Sequence, residues 1–117
     1  MSSLSPVYET LTPQNQLRLR EFGERLRLAR QRRNWTQKEL AAKSGISEGT
    51  LKKIEAGNPR VPAGFWLQVM DIFAIADEIE HLALPENDRI GAAMENRPLR
   101  QRVRTRAAPV DFDLGDD

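Results

Sequence analysis

The sequence predicts an all-α protein of about five helices. Three observations carry that expectation. Apolar residues recur at helical spacing from about Leu17 to residue 84. Capping residues stand where new apolar stripes begin, and glycine or proline stands where several of them end. No strand-like alternation of useful length occurs, apart from a short stretch at 99–103. At 117 residues with 39% hydrophobic positions, the chain suits one small domain with a modest core.

Residues 1–16 are rich in Ser, Thr, Pro and Gln, the composition of a flexible arm. The first helix is expected from about Leu17, with Leu19, Phe22, Leu26 and Ala29 on one face. Arg25, Arg27, Arg30, Arg32 and Arg33 take its other faces and its C-terminal end, where cations suit the helix dipole. Thr36 and Glu39 then have the spacing of a capping box, and Trp35 and Leu40 that of a hydrophobic staple. Gly45 ends this short helix, because glycine adopts the left-handed conformation without a Cβ penalty. Ser47 caps the next helix, Ile46 and Leu51 repeat the staple, and the chain turns at Gly57, Asn58 and Pro59. Pro62 suits the first position of a further helix, whose core stripe is Trp66, Val69, Met70 and Phe73. Asp77 and Glu80 mark another start, leading to Ile79, Leu82 and Ala83. Residues 85–96 leave room for one more helical turn. The expected organisation is an arm at 1–16, a helical domain at 17–84, and an extension at 85–117 that is Arg-rich, then acidic, and largely disordered.

Composition narrows the function. The chain has no cysteine and a single histidine, His81. Disulfides, thiolate zinc sites and cysteine nucleophiles are therefore excluded, and imidazole-based catalysis lacks its usual supply. No apolar run approaches the ~20 residues of a membrane span, and no secretory signal is visible. The expectation is a cytoplasmic, non-enzymatic protein without metal or cofactor. Asp77, Glu78 and Glu80 are explained as charged helix starts rather than a catalytic pair.

The net charge of +1 conceals alternating blocks. Residues 18–60 hold twelve Lys and Arg against five Glu, a net +7. Residues 61–96 hold one Arg against seven acids, a net −6. Five arginines follow at 97–108, then four aspartates at 109–117. Such asymmetry fits a polyanion-facing half; soluble Arg-rich helices account for it equally well.

Residues 37–56 read QKELAAKSGISEGTLKKIEA. Leu40, Ala41, Gly45, Ile46, Leu51 and Ile54 stand where two helices crossing through a tight turn need them. The small Ala41 permits a close crossing, Gly45 turns the chain, and the larger apolar residues pin both helices to a core. The remaining face of the second helix points outward, where a major groove about 12 Å wide can receive it.

On these residues, together with Phe22 to Arg27, Arg32, Arg33 and the helix carrying Val69 and Met70, the chain at 22–82 resembles the Cro/cI-type (XRE-family) helix-turn-helix regulators. The resemblance implies a five-helix lambda-repressor-like domain that binds double-stranded DNA. It makes 47–55 the recognition helix, with Ser47, Glu48, Gly49, Thr50, Lys52 and Lys53 facing bases or phosphates. It places Gln37 at a phosphate-contacting position and Arg60 where relatives touch the DNA backbone. Filling a helix start (Gln37) and simple solvation (Lys52, Lys53) are the structural alternatives. Two residues depart from the pattern. Glu48 can accept a hydrogen bond from cytosine N4 but repels phosphate, and Gly49 costs a helix about 1 kcal/mol relative to alanine.

The resemblance also implies a homodimeric repressor on an inverted repeat. Phe65, Leu67, Ile72, Ile79 and Leu82 are candidates both for that interface and for the monomer's own core. The Arg-rich segment from Pro98 is similar to that of small antitoxins paired with HipA-type kinase toxins. A basic arm on DNA and a solvating tail are its other readings. The alternative overall is a protein-interaction module that keeps the helix-turn-helix fold without binding DNA, signalled by Glu48 and Gly49.

Overall fold

A computed structural model describes residues 10–95. Helices α1 (Pro13–Arg32), α2 (Gln37–Ser44), α3 (Glu48–Glu55) and α4 (Ala63–Ile72) are followed by a 3-10 turn at Ala76–His81. A second 3-10 turn at Pro85–Asn87 and a short helix, α5 (Arg89–Met94), complete the order. No strand occurs among the described residues, and none of their helices is long and apolar enough to cross a membrane. The fold is all-α. The 99–103 stretch, the arginines from 97 onward and the first nine residues lie outside the described residues.

α1 starts four residues before the apolar periodicity begins. Thr12 accepts a hydrogen bond from the Asn15 amide at 3.1 Å, and Pro13 opens the helix where its missing N–H is no loss. Polar residues fill this first turn, so the apolar pattern is silent there, and 13–16 are helix rather than arm. The helix after Pro62 begins one residue later than expected. Pro62 itself is extended (ψ 146°) and occupies the cap position.

The core forms where four helices meet. α1 contributes Leu26, α2 Leu40 and Ala41, α3 Leu51 and Ile54, and α4 Trp66, Val69 and Met70, with Phe73 just beyond. Leu40, Leu51, Ile54 and Val69 are fully buried. Each such side chain contributes about 1.5–3 kcal/mol of transfer free energy. Phe22 stacks on Trp66 at 5.0 Å between ring centroids, and Trp35 on Phe73 at 6.1 Å. Of the apolar residues with two expected uses, Leu67 and Ile72 pack against this core, while Phe65, Ile79 and Leu82 stay exposed.

α1 lies against the end of α3 through Gly23. A Cβ there would run into the carbonyl oxygens of Ile54 and Glu55, so a side chain at this position would force the two helices apart. Only glycine permits that approach.

The chain divides into a first unit ending at Ile79 and a second beginning at Glu80. Where an α-helix is expected at 77–83, the backbone makes a 3-10 turn bounded by left-handed residues, Ala74 (φ 62°) and Ala83 (φ 56°). In the second unit, α5 falls where the sequence leaves room for one more helical turn, and its cap is Asp88, whose Oδ1 accepts from the Gly91 amide at 2.9 Å.

Candidate nucleic-acid interface

Local chemistry sets the crossing of α2 and α3. Thr36 Oγ1 accepts from the Glu39 amide at 3.0 Å, and the Thr36 amide donates to Glu39 Oε1 at 2.8 Å. Both halves of the capping box are present. α2 ends at Gly45, left-handed at φ 72°, which lets the Ile46 amide donate back to the Ala41 carbonyl at 3.1 Å. From α4, the Gln68 side-chain amide donates to the Ser44 carbonyl at 3.1 Å and so satisfies one free C-terminal acceptor. Ser47 then starts α3 in extended conformation. Its hydroxyl accepts from the Thr50 amide at 3.0 Å and donates to Thr50 Oγ1 at 2.8 Å.

α3 is thereby held with one side in the protein and one side out. Leu51, Ile54 and Glu55 are buried. At ~100° per residue, Gly49 and Lys53 fall within about 20° of the point opposite Leu51. Both are exposed, as are Glu48 and Lys52. Glu48 and Lys52 lie one turn apart on a shared flank, with carboxylate and ammonium 4.0 Å from each other. A Cβ on Gly49 would meet nothing closer than Ser47 Oγ at 3.9 Å. Nothing inside the protein requires glycine there.

A helix-turn-helix domain family model matches residues 21–82, more than half of the chain. The chain belongs to the helix-turn-helix domain family. A domain of this kind points to a DNA-binding regulator. No curated protein and no solved structure matches the chain.

Within this helix-turn-helix domain, the candidate residues separate into three groups. Glu48, Gly49, Lys52 and Lys53 share the exposed sides of α3. Ser47 and Thr50 belong to its cap. Gln37, at the start of α2, is half-buried, and its side-chain amide donates to Glu55 Oε1 at 2.9 Å. Gln37 thus joins α2 to α3. Arg60 stands apart, exposed in the turn after α3, where its amide donates to Asn58 Oδ1 at 2.8 Å. Among the described residues, no cluster of three or more His, Cys, Asp or Glu could hold a metal ion.

The residue that periodicity missed is Glu55. Its side chain is 3% exposed and forms a two-point ion pair with Arg30, at 2.7 Å (Nε) and 3.1 Å (Nη2). Arg30 also donates to the Trp35 carbonyl at 2.9 Å. One buried carboxylate therefore fastens the end of α3 to α1 and to the start of α2, and its partner Arg30 holds the loop between them. One sequence signal pointed to it. At ~100° per residue, Glu55 lies only about 40° from Leu51, inside the apolar stripe of α3. A charge there must find a buried partner.

Much of the arginine surplus of α1 is structural. Arg30 serves Glu55, and Arg33 lies 4.7 Å from the Phe73 ring centroid. Arg25 sits 5.8 Å from the Phe22 ring. Arg27 pairs with Glu24 at 2.7 Å. The hydrogen bond from Arg27 is the main effect and holds the Glu24 carboxyl below its ordinary range, against an opposing effect of desolvation and with a lesser contribution from the Arg27 charge. The two ion pairs are already counted in the net +7 of 18–60, and ring contacts leave the charge of Arg25 and Arg33 in place, so these contacts fix where the arginines stand without removing the charge excess.

Proposed function

We propose that this chain is a sequence-specific, Cro/cI-type transcriptional repressor that binds an inverted-repeat operator as a homodimer, with α3 in the major groove. The carrying observation is the two-sidedness of α3: Leu51, Ile54 and Glu55 anchor one side, while Gly49, Lys52 and Lys53 are exposed. A helix about 10–12 Å across fits a groove about 12 Å wide. Lys52 and Lys53 meet bases or phosphates, Gly49 allows the helix to sit deep, and Glu48 contacts a base edge. Gln37, Ser47 and Thr50 position α3 through the Glu55 network and the cap, and Arg60 faces the DNA backbone. One such helix buries too little surface for useful specificity, so two copies read half-sites about one helical turn apart. Exposed Phe65 and Ile79 in the first unit, and Leu82 in the second, supply apolar surface for pairing.

The test is selection from a random duplex library, followed by fluorescence anisotropy at several salt concentrations and by ultracentrifugation. The expected results are an enriched inverted repeat and a dimer on it. In Lys52→Ala or Lys53→Ala the salt slope should fall by about 0.9 for each phosphate no longer neutralised. A library that enriches nothing, or one monomer on a short asymmetric site, would refute the proposal. The arginine-rich segment at 97–106 supports a further assignment, as the antitoxin of a HipA-type kinase toxin that represses its own operon. That segment lies outside the described residues. Co-purification of a kinase-like partner that disappears on truncation at Arg97 tests the assignment, and a chain that purifies alone overturns it.

A further inference from the structure

We infer that Glu48 and Lys52 act as one unit that reads a single C·G base pair in each half-site. The inference rests on the reading of α3 as the DNA-facing helix. The polar groups around its start are not equally available. Ser47 and Thr50 are bonded to each other in the cap, and the Gln37 amide is bonded to Glu55. Gly49 has no side chain. That leaves the Glu48 carboxylate as the one strong side-chain acceptor on the exposed surface of α3, with the Lys52 ammonium 4.0 Å away on the same flank. Both remain open to solvent, at 45% and 59% side-chain exposure.

An acceptor beside a donor at that spacing complements one base-pair edge above the others. In the major groove a C·G pair shows the cytosine N4 amine next to two adjacent guanine acceptors, O6 and N7. The carboxylate accepts from N4, and the ammonium donates to O6 and N7. An A·T pair fits less well, because its N6 amine lies between its two acceptors and the ammonium meets only one of them. At a T·A pair in the same orientation, the carboxylate faces thymine O4 and the methyl group, and is repelled. The pairing also removes the objection to an acidic residue in a DNA-binding surface. Lys52 screens the Glu48 charge from phosphate, and the carboxylate recovers a full hydrogen bond only at an amine donor. A mismatched pair therefore leaves it desolvated and unpaired.

Selection on the full chain, repeated with Glu48→Gln and Lys52→Ala, tests this, with anisotropy on the selected duplexes. Both residues are exposed, and far-UV circular dichroism is to check that each variant is folded. The wild type is expected to require C·G at one position per half-site, with binding at least about fivefold weaker when that pair is replaced. Glu48→Gln should shift the same position toward A·T, since glutamine pairs with adenine N6 and N7. Lys52→Ala should relax it. An unchanged requirement in Glu48→Gln, or a wild-type site without a fixed C·G position, overturns this inference and leaves the repressor reading intact. A wild type that enriches no sequence overturns both.

Discussion

Removing either member of the buried Arg30–Glu55 pair should cost far more than removing both. The two side chains are 11% and 3% exposed and make two short hydrogen bonds, at 2.7 and 3.1 Å. In Glu55→Leu the guanidinium keeps its charge in an apolar setting with only the Trp35 carbonyl left to it. In Arg30→Met the carboxylate keeps only the Gln37 amide. Leaving one buried charge uncompensated typically costs about 3–5 kcal/mol. At about 0.05–0.15 kcal/mol per residue, a domain of this size holds only some 5–15 kcal/mol. Each single variant should therefore lose about a fifth or more of its stability. The double variant Arg30→Met/Glu55→Leu removes both charges and fills the space with apolar atoms, a change that is often neutral or better. What remains are the Trp35 carbonyl without its donor and the Gln37 side-chain amide without its acceptor, each worth about 1 kcal/mol or less. Urea unfolding followed by far-UV circular dichroism should place the double variant within about 1–2 kcal/mol of wild type, a coupling of several kcal/mol. Single variants that each cost less than about 1 kcal/mol, or a double variant that costs their sum, would refute the claim that these groups form one buried unit. The folded double variant should still bind operator DNA more weakly, because α3 then keeps its apolar packing but not its tie to α1 and α2.

Further outcomes follow from individual sites. Ser44 Oγ is buried without a hydrogen-bond partner, so Ser44→Ala should gain about 1 kcal/mol, seen as a melting temperature about 4–8 °C higher; a lower one would show a hidden partner. Leu51 is fully buried, and Leu51→Ala should lose about 2–5 kcal/mol in urea unfolding through its cavity. Gly49→Ala should stabilise the helix by up to about 1 kcal/mol, since a Cβ there meets nothing closer than Ser47 Oγ at 3.9 Å, while DNA affinity falls. Unchanged affinity on anisotropy would remove Gly49 from the proposed DNA-facing surface. Arg27→Ala should return the Glu24 carboxyl, held low by the Arg27 hydrogen bond, to its ordinary range in an NMR titration. Because that carboxyl is more acidic in the folded chain, its contribution to stability is present above the ordinary carboxylate range and is lost as pH falls through the lowered value. Arg27→Ala should abolish this dependence, and an unmoved Glu24 titration would show that another group holds it.

What could be read in the sequence was what is encoded within one helical turn. Thr36 with Glu39, Ser47 with Thr50, and Gly45 act on neighbours three to five residues away, so their spacing alone announces α2, the turn and α3. The stripes Leu40–Ala41, Leu51–Ile54 and Trp66–Val69–Met70–Phe73 are legible for the same reason: a helix repeats its inward direction every three or four residues. The start of α1 was hidden because its first turn is polar and depends on Thr12, not on an apolar stripe. Arg30 and Glu55 were hidden differently. They are 25 residues apart, and no periodicity links an arginine on one helix to a glutamate on another. Yet this long-range pair controls what the local signals cannot. Caps and staples determine that α3 is a helix and which side faces inward, but they leave its angle to α1 free. A point-to-point contact between rigid groups at the far end of α3, together with the close approach at Gly23, removes that freedom. With these contacts at its C-terminal end and the Gly45 turn and Ser47 cap at its start, α3 presents Glu48 and Lys52 in one orientation. Recognition of one base pair by two side chains requires that rigidity, because an error of about 1 Å in either group already breaks one of the two hydrogen bonds.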